Sequence, residues 1–97
     1  MNDLFIHLGG DVIIRSKDII TILNRDAQEL SSVTNLFLKA EEKRKAKKVI
    51  SADYIKSIVV TNDEIYYSPV SSLTLNRRAQ GRSLIEQSLD KEEDIDL

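Results

Sequence analysis

A chain of 97 residues is the length of one ordinary domain, and 41% apolar with 31% charged residues suits a soluble globular protein with a single core. The absence of cysteine excludes a disulfide scaffold, a cysteine nucleophile and a thiolate metal site. The net charge of −2 hides an asymmetry: residues 83–97 hold six acids against Lys91 alone, a net of −5, while residues 1–82 hold 13 bases and 10 acids, a net of +3.

Leu4 to Leu8 alternates as a strand, with Leu4, Ile6 and Leu8 on one side and Phe5 and His7 on the other. Gly9-Gly10-Asp11 is a turn signal, and Val12 to Arg15 supplies a second strand, predicting a hairpin. After an interruption at Ser16 to Asp18, Ile19 to Leu23 reads as a third strand; its β-branched, nearly all-apolar run predicts burial on both faces. The helix signal follows. Asp26 and Glu29 have the spacing of a capping box, and Leu30, Val33, Phe37 and Ala40, widened by Leu36, form an apolar stripe. Glu41 and Lys45 add a supporting i,i+4 pair, so the expected helix runs from about Ala27 to Lys45. Val49 to Asp53 reads as a loop or short extended piece.

Ser57 to Thr61 and Glu64 to Ser68 are rich in β formers and are joined by Asn62-Asp63, a turn that tolerates positive φ, so a second hairpin is expected. Tyr66 and Tyr67 then face opposite ways, one inward and one outward. Pro69 ends the second strand. Ser71 or Ser72 can cap a short helix to about Gln80, with Gly81 placed to stop it. The fold class is therefore α+β: a small, mostly antiparallel sheet of about five strands with one long helix and a short C-terminal one. Residues 1–82 form the single domain, and residues 83–97 have the composition of a flexible acidic tail.

No apolar run approaches the ~18 residues of a spanning helix, and the N-terminus lacks the positive n-region of a signal peptide. A cytoplasmic protein with no membrane contact is the simplest expectation. Catalysis finds little support. His7 is the sole histidine, and the Gly9-Gly10 pair lacks the spacing of a nucleotide fingerprint. Asp63 and Glu64 diverge from a turn, and the carboxylates of 83–97 do not match a calcium loop. No enzyme activity, metal, cofactor or small-molecule substrate is expected.

Basic residues carry more. Lys43, Arg44, Lys45, Lys47 and Lys48 place five positive charges in six residues, a pattern that serves phosphate contact or simply complements a helix C-terminus. Arg77, Arg78 and Arg82 form a second group, suited to phosphate, to the acidic tail or to a neighbouring subunit.

The segments "FIHLGGDVIIRSKDIITI" and "KSIVVTNDEIYYSPVSSLTLNRRAQ", with "FLKAEEKR" more loosely between them, resemble the RemB (YaaB-like) family. These are small bacterial proteins paired with the RemA group as regulators of extracellular-matrix, or biofilm, genes. The resemblance implies a non-enzymatic regulator with a LytTR-related fold. RemA-type proteins activate transcription by binding DNA and assemble into ring-like oligomers, so a homo-oligomer and DNA contact are implied in turn. The RemA group carries arginines where this chain has Ser16-Lys17-Asp18 and Asp53-Tyr54-Ile55-Lys56. Those arginines do not carry over; Lys17 and Lys56 are the cations left nearby, and Asp18 and Asp53 repel phosphate. Two readings stay open: DNA contact through the remaining basic residues, or a protein–protein role in the same pathway without DNA affinity.

Overall fold

The computed structural model describes residues 4–25 and 31–80. In chain order it has β1 (Phe5–Gly9), β2 (Val12–Arg15), a 3-10 turn (Ser16–Asp18), β3 (Ile19–Asn24), α1 (Ser32–Arg44), β4 (Ala46–Val49), β5 (Ser57–Thr61), β6 (Glu64–Ser68) and α2 (Ser72–Arg78). The class is α+β and mostly antiparallel, as the alternation and turn chemistry predict, but with six described strands in two sheets rather than about five in one. β1 and β2 form a two-stranded sheet, and the larger sheet has the order β3-β5-β6-β4.

The β1–β2 hairpin turns at Gly9 and Gly10, whose φ angles of 111° and 54° suit glycine. A Cβ on Gly9 would also come within 3.0 Å of the Pro69 ring. Ile6 and Leu8 point inward with no exposed surface, as their alternation predicts. The β5–β6 hairpin is present with β6 ending before Pro69. Its turn does not use positive φ, which is confined to glycines among the described residues. Instead Thr61 Oγ1 accepts from the Glu64 amide at 3.0 Å and donates to the Glu64 carbonyl at 2.7 Å. The threonine side chain closes the turn, so Asn62 and Asp63 need no left-handed backbone.

β5 is central and buried along its whole length. Its alternate residues therefore feed two cores. Val59 joins Ile6, Leu8 and Leu75 on the face covered by the β1–β2 hairpin and α2, with Ile19, Ile22 and Tyr66 packed around them. Ile58 and Val60 join Ile65 and Leu38 on the face covered by α1, with Leu23, Phe37 and Tyr67 alongside. The result is three layers, with the four-stranded sheet in the middle. Tyr66 and Tyr67 do face opposite ways, but both are half-buried because each face has a cover.

Three expectations need correction. β3 is not buried on both faces within one chain. It is an edge strand, its pairing with β5 is irregular between Ile19 and Thr21, and Ile20 at that irregularity is 49% exposed. α1 starts at Ser32, not near Ala27, because the Ser31 side chain caps it by accepting from the Thr34 amide at 3.1 Å; Asp26, Glu29 and Leu30 lie outside the described residues. The inward face of α1 also shares only Phe37 with the described part of the apolar stripe. Leu38 and Glu41 are buried, while Val33 is 75% and Leu36 69% exposed, and Ala40 is exposed as well. α2 matches its prediction, with Ser71 as cap, accepting from the Thr74 amide at 3.1 Å; Gly81 falls outside the described residues.

Candidate nucleic-acid or partner interface

The basic run from Lys43 to Lys48 straddles a change of structure. α1 ends at Arg44, Lys45 is its C-cap, and the chain goes directly into β4. The loop or extended piece expected just after this run is preceded by a strand that basic composition conceals: "AKKV" has one β-branched residue. β4 exists because it pairs in parallel with β6, Ala46 beside Glu64 through Val49 beside Tyr67.

This junction divides the five cations. Lys45 turns inward, with its side chain only 6% exposed. Its Nζ donates to the Glu41 carboxylate and, at 2.7 Å, to the Thr61 carbonyl. Glu41 also accepts from Arg44 Nη1 at 2.8 Å. The Lys45 hydrogen bond is the main reason that the Glu41 carboxyl sits below its ordinary range, opposed by burial and helped by both neighbouring charges. The i,i+4 pair expected on an exposed helix face is thus a buried clasp between α1 and the β5–β6 turn. The side chains of Lys43, Arg44, Lys47 and Lys48 remain exposed. Lys48 reaches Glu64 at 3.6 Å, a loose surface contact.

Two tyrosines brace the same region from inside. Tyr67 donates to Glu42 of α1, and burial with that hydrogen bond pushes its phenol well above the usual range. Tyr66 donates to Glu64 at 2.6 Å; burial first, then Glu64, push its phenol up to about 12.

The other candidate cations do not join this set. Lys17 is exposed on the 3-10 turn. It lies at the same end of the sheet, because the Asp18 carbonyl accepts from the Asn62 amide at 3.0 Å, but on the side of the other edge strand. Asp18, Asp63 and Glu64 all act on Tyr66, so this end of the sheet is mixed in charge. Lys56 is at the opposite end of β5, half-buried, with Nζ 5.3 Å from the Tyr54 ring centre. Arg78 is 1% exposed, and its Nη1 donates to the His7 carbonyl at 2.7 Å. It ties α2 to β1. Arg77 is half-buried and contacts Thr74 Oγ1 at 3.4 Å. Arg82 lies outside the described residues. Nothing in the sequence marks Lys45 and Arg78 as inward, since both sit in basic clusters; the one available signal is the Glu41–Lys45 spacing. Among the described residues no cluster of three or more histidine, cysteine or acidic side chains could hold a metal ion.

The described residues form a three-layer α+β domain with a basic edge strand, a surface chemically suited to contact with phosphate or with an acidic partner. Comparison with known proteins narrows this. The sequence model of the RemA-like family, described as extracellular matrix regulatory protein A-like, matches residues 5–79, and the chain belongs to that family. It is also similar to extracellular matrix regulatory protein B of Bacillus subtilis (strain 168), with 46% identity over 78 residues that cover 79% of this chain and 91% of the relative. Among the described residues no helix is long and apolar enough to cross a membrane.

Proposed function

We propose that this chain is a non-enzymatic regulator of extracellular-matrix gene expression that works in the cytoplasm by contacting duplex DNA as a homo-oligomer. Family membership and the name of the relative support the regulatory part. The observation that carries the DNA part is the α1–β4 junction, where Lys43, Arg44, Lys47 and Lys48 stay exposed within one short stretch. Phosphate contacts need accessible cations and no groove-reading helix. Lys45 and Arg78, being buried, contribute by shaping the scaffold.

Oligomerisation is supported by exposed apolar residues that a lone chain leaves uncovered, above all Ile20 on the edge strand β3. A ring would pair such edges without leaving an open end. Solution mass should exceed the 11.0 kDa of one chain at tens of micromolar. A clean monomer by light scattering refutes this part.

The DNA part is tested by binding to duplex DNA at varied salt. With four phosphate contacts per chain, affinity falls on the order of 100-fold between 50 and 200 mM salt. Lys47→Glu with Lys48→Glu should abolish binding without unfolding the protein. The second reading, a protein–protein component of the same pathway, is favoured by Asp18 beside Lys17 and the exposed Asp53 near Lys56. No gel shift even at low salt decides for it.

A further inference from the structure

Among the described residues no strand pairs with the outer edge of β4. The Ile50 amide donates to the Tyr67 carbonyl at 3.0 Å, which fixes the phase of the parallel ladder with β6. Lys48 and Ile50 therefore turn their backbone groups toward β6, and Lys47 and Val49 turn their N–H and C=O away from it. No described strand pairs with that side, since β4 ends the sheet. Such an edge is a template for another strand. It carries exposed Lys47 and Lys48, followed by Val49, which is more than half exposed, and exposed Lys43 and Arg44 precede it at the end of α1. An apolar-rich strand would not suit this border; an acidic one would.

The chain carries a segment with those properties. Asp94-Ile95-Asp96-Leu97 alternates acidic and apolar residues with the period of a strand, within a stretch that also holds Asp90, Glu92 and Glu93. Reach is sufficient. The eleven residue-to-residue steps from Ala79 to Asp90 span up to about 36 Å when extended, and the longest dimension of the structure is 35 Å. We propose that residues 90–97 of the same chain add to the outer edge of β4 as an acidic strand. Asp94 and Asp96 then lie on the Lys48 side of the sheet. Ile95 and Leu97 lie on the other side, beside Val49 and the stem of Lys47. The acids then face Lys48, one of the cations that phosphate would contact, so the segment competes with a polyanion for that residue. This inference does not need the DNA reading to hold.

Amide hydrogen exchange on the full chain, without DNA, tests it. The Lys47 and Val49 amides should exchange at least about tenfold more slowly than in an Ile95→Pro variant, because an unpaired edge amide is open to solvent. Lys48→Glu should lose the protection, and Asp94→Lys with Asp96→Lys in the same chain should restore it. The Lys48 and Ile50 amides, bonded to β6, report that the fold is intact in every variant. Equal, fast exchange of Lys47 and Val49 in the full chain and in Ile95→Pro overturns the proposal. Protection that grows with protein concentration overturns it too, since the strand then comes from a second copy.

Discussion

The two faces of the central sheet are built on different physics. Under the β1–β2 hairpin and α2, Ile6, Leu8, Val59 and Leu75 have no exposed surface, and side chains bond directly to backbone carbonyls. Ser68 Oγ donates to Leu8 at 2.6 Å, Ser57 Oγ to Val70 at 2.7 Å and Arg78 to His7 at 2.7 Å. Under α1, the buried apolar contribution of the helix is Leu38 with half-buried Phe37, and the rest is polar: the Glu41–Lys45 clasp and the Tyr67–Glu42 bond. One cover is welded by packing, the other latched by charges. The helix that bears part of the basic run is therefore the one whose attachment depends on pH and salt.

The largest expected effect is on the packed face. Leu75→Ala removes a fully buried side chain from between α2 and β1 and should cost about 3–4 kcal/mol, whereas Leu38→Ala, at the rim of the α1 face, should cost about 2 kcal/mol. Urea unfolding gives both. If Leu38→Ala costs as much as Leu75→Ala, the α1 face is as tightly packed as the other and the contrast is broken.

Next in size is Arg78. Arg78→Leu keeps bulk but leaves the His7 carbonyl without this donor, an expected loss of about 1–3 kcal/mol. A surface phosphate ligand would behave in the opposite way, with stability unchanged and DNA affinity reduced. Measuring unfolding and DNA binding on the same variant separates the two. Arg77→Ala, half-buried one residue earlier, should be milder on stability.

These contrasts also mark what a sequence reveals. Both hairpins, β3 and α2 are legible because alternation, glycine turns, Pro69 and the Ser71 cap are local signals. The stripe of Leu30, Val33, Phe37 and Ala40, widened by Leu36, is equally regular and misleads in part: Val33, Leu36 and Ala40 face out, and Phe37 packs against the core. The inward side of α1 is decided by partners 16 to 25 residues away in sequence, the Thr61 carbonyl for Lys45 and Tyr67 for Glu42. β4 is hidden for a related reason. Lys47 and Lys48 are poor β formers, and only the neighbouring β6 makes them a strand. The candidate interface is thus readable as a list of cations but not as a surface, because burial of Lys45 and Arg78 depends on acceptors from other elements.

The smallest effect is the most specific to the latched face. Glu41 has its carboxyl held below the ordinary value of 4.5 in the folded protein, chiefly by Lys45. A lowered folded value means that the ionised form stabilises the fold above the unfolded pKa, and that this stabilisation is lost as pH falls through the folded pKa. Stability should therefore be flat with respect to this group at neutral pH and decline below about pH 4.5. Glu41→Gln should remove that part of the acid dependence while lowering stability at pH 7, because Lys45 is then left buried without its counter-charge. The decline should appear first in the amides of α1 and the β5–β6 turn, and later in those of β1 and α2. Hydrogen exchange at pH 5 and pH 4 resolves the order. Simultaneous loss on both faces would mean that the clasp holds the whole domain rather than one of its two covers.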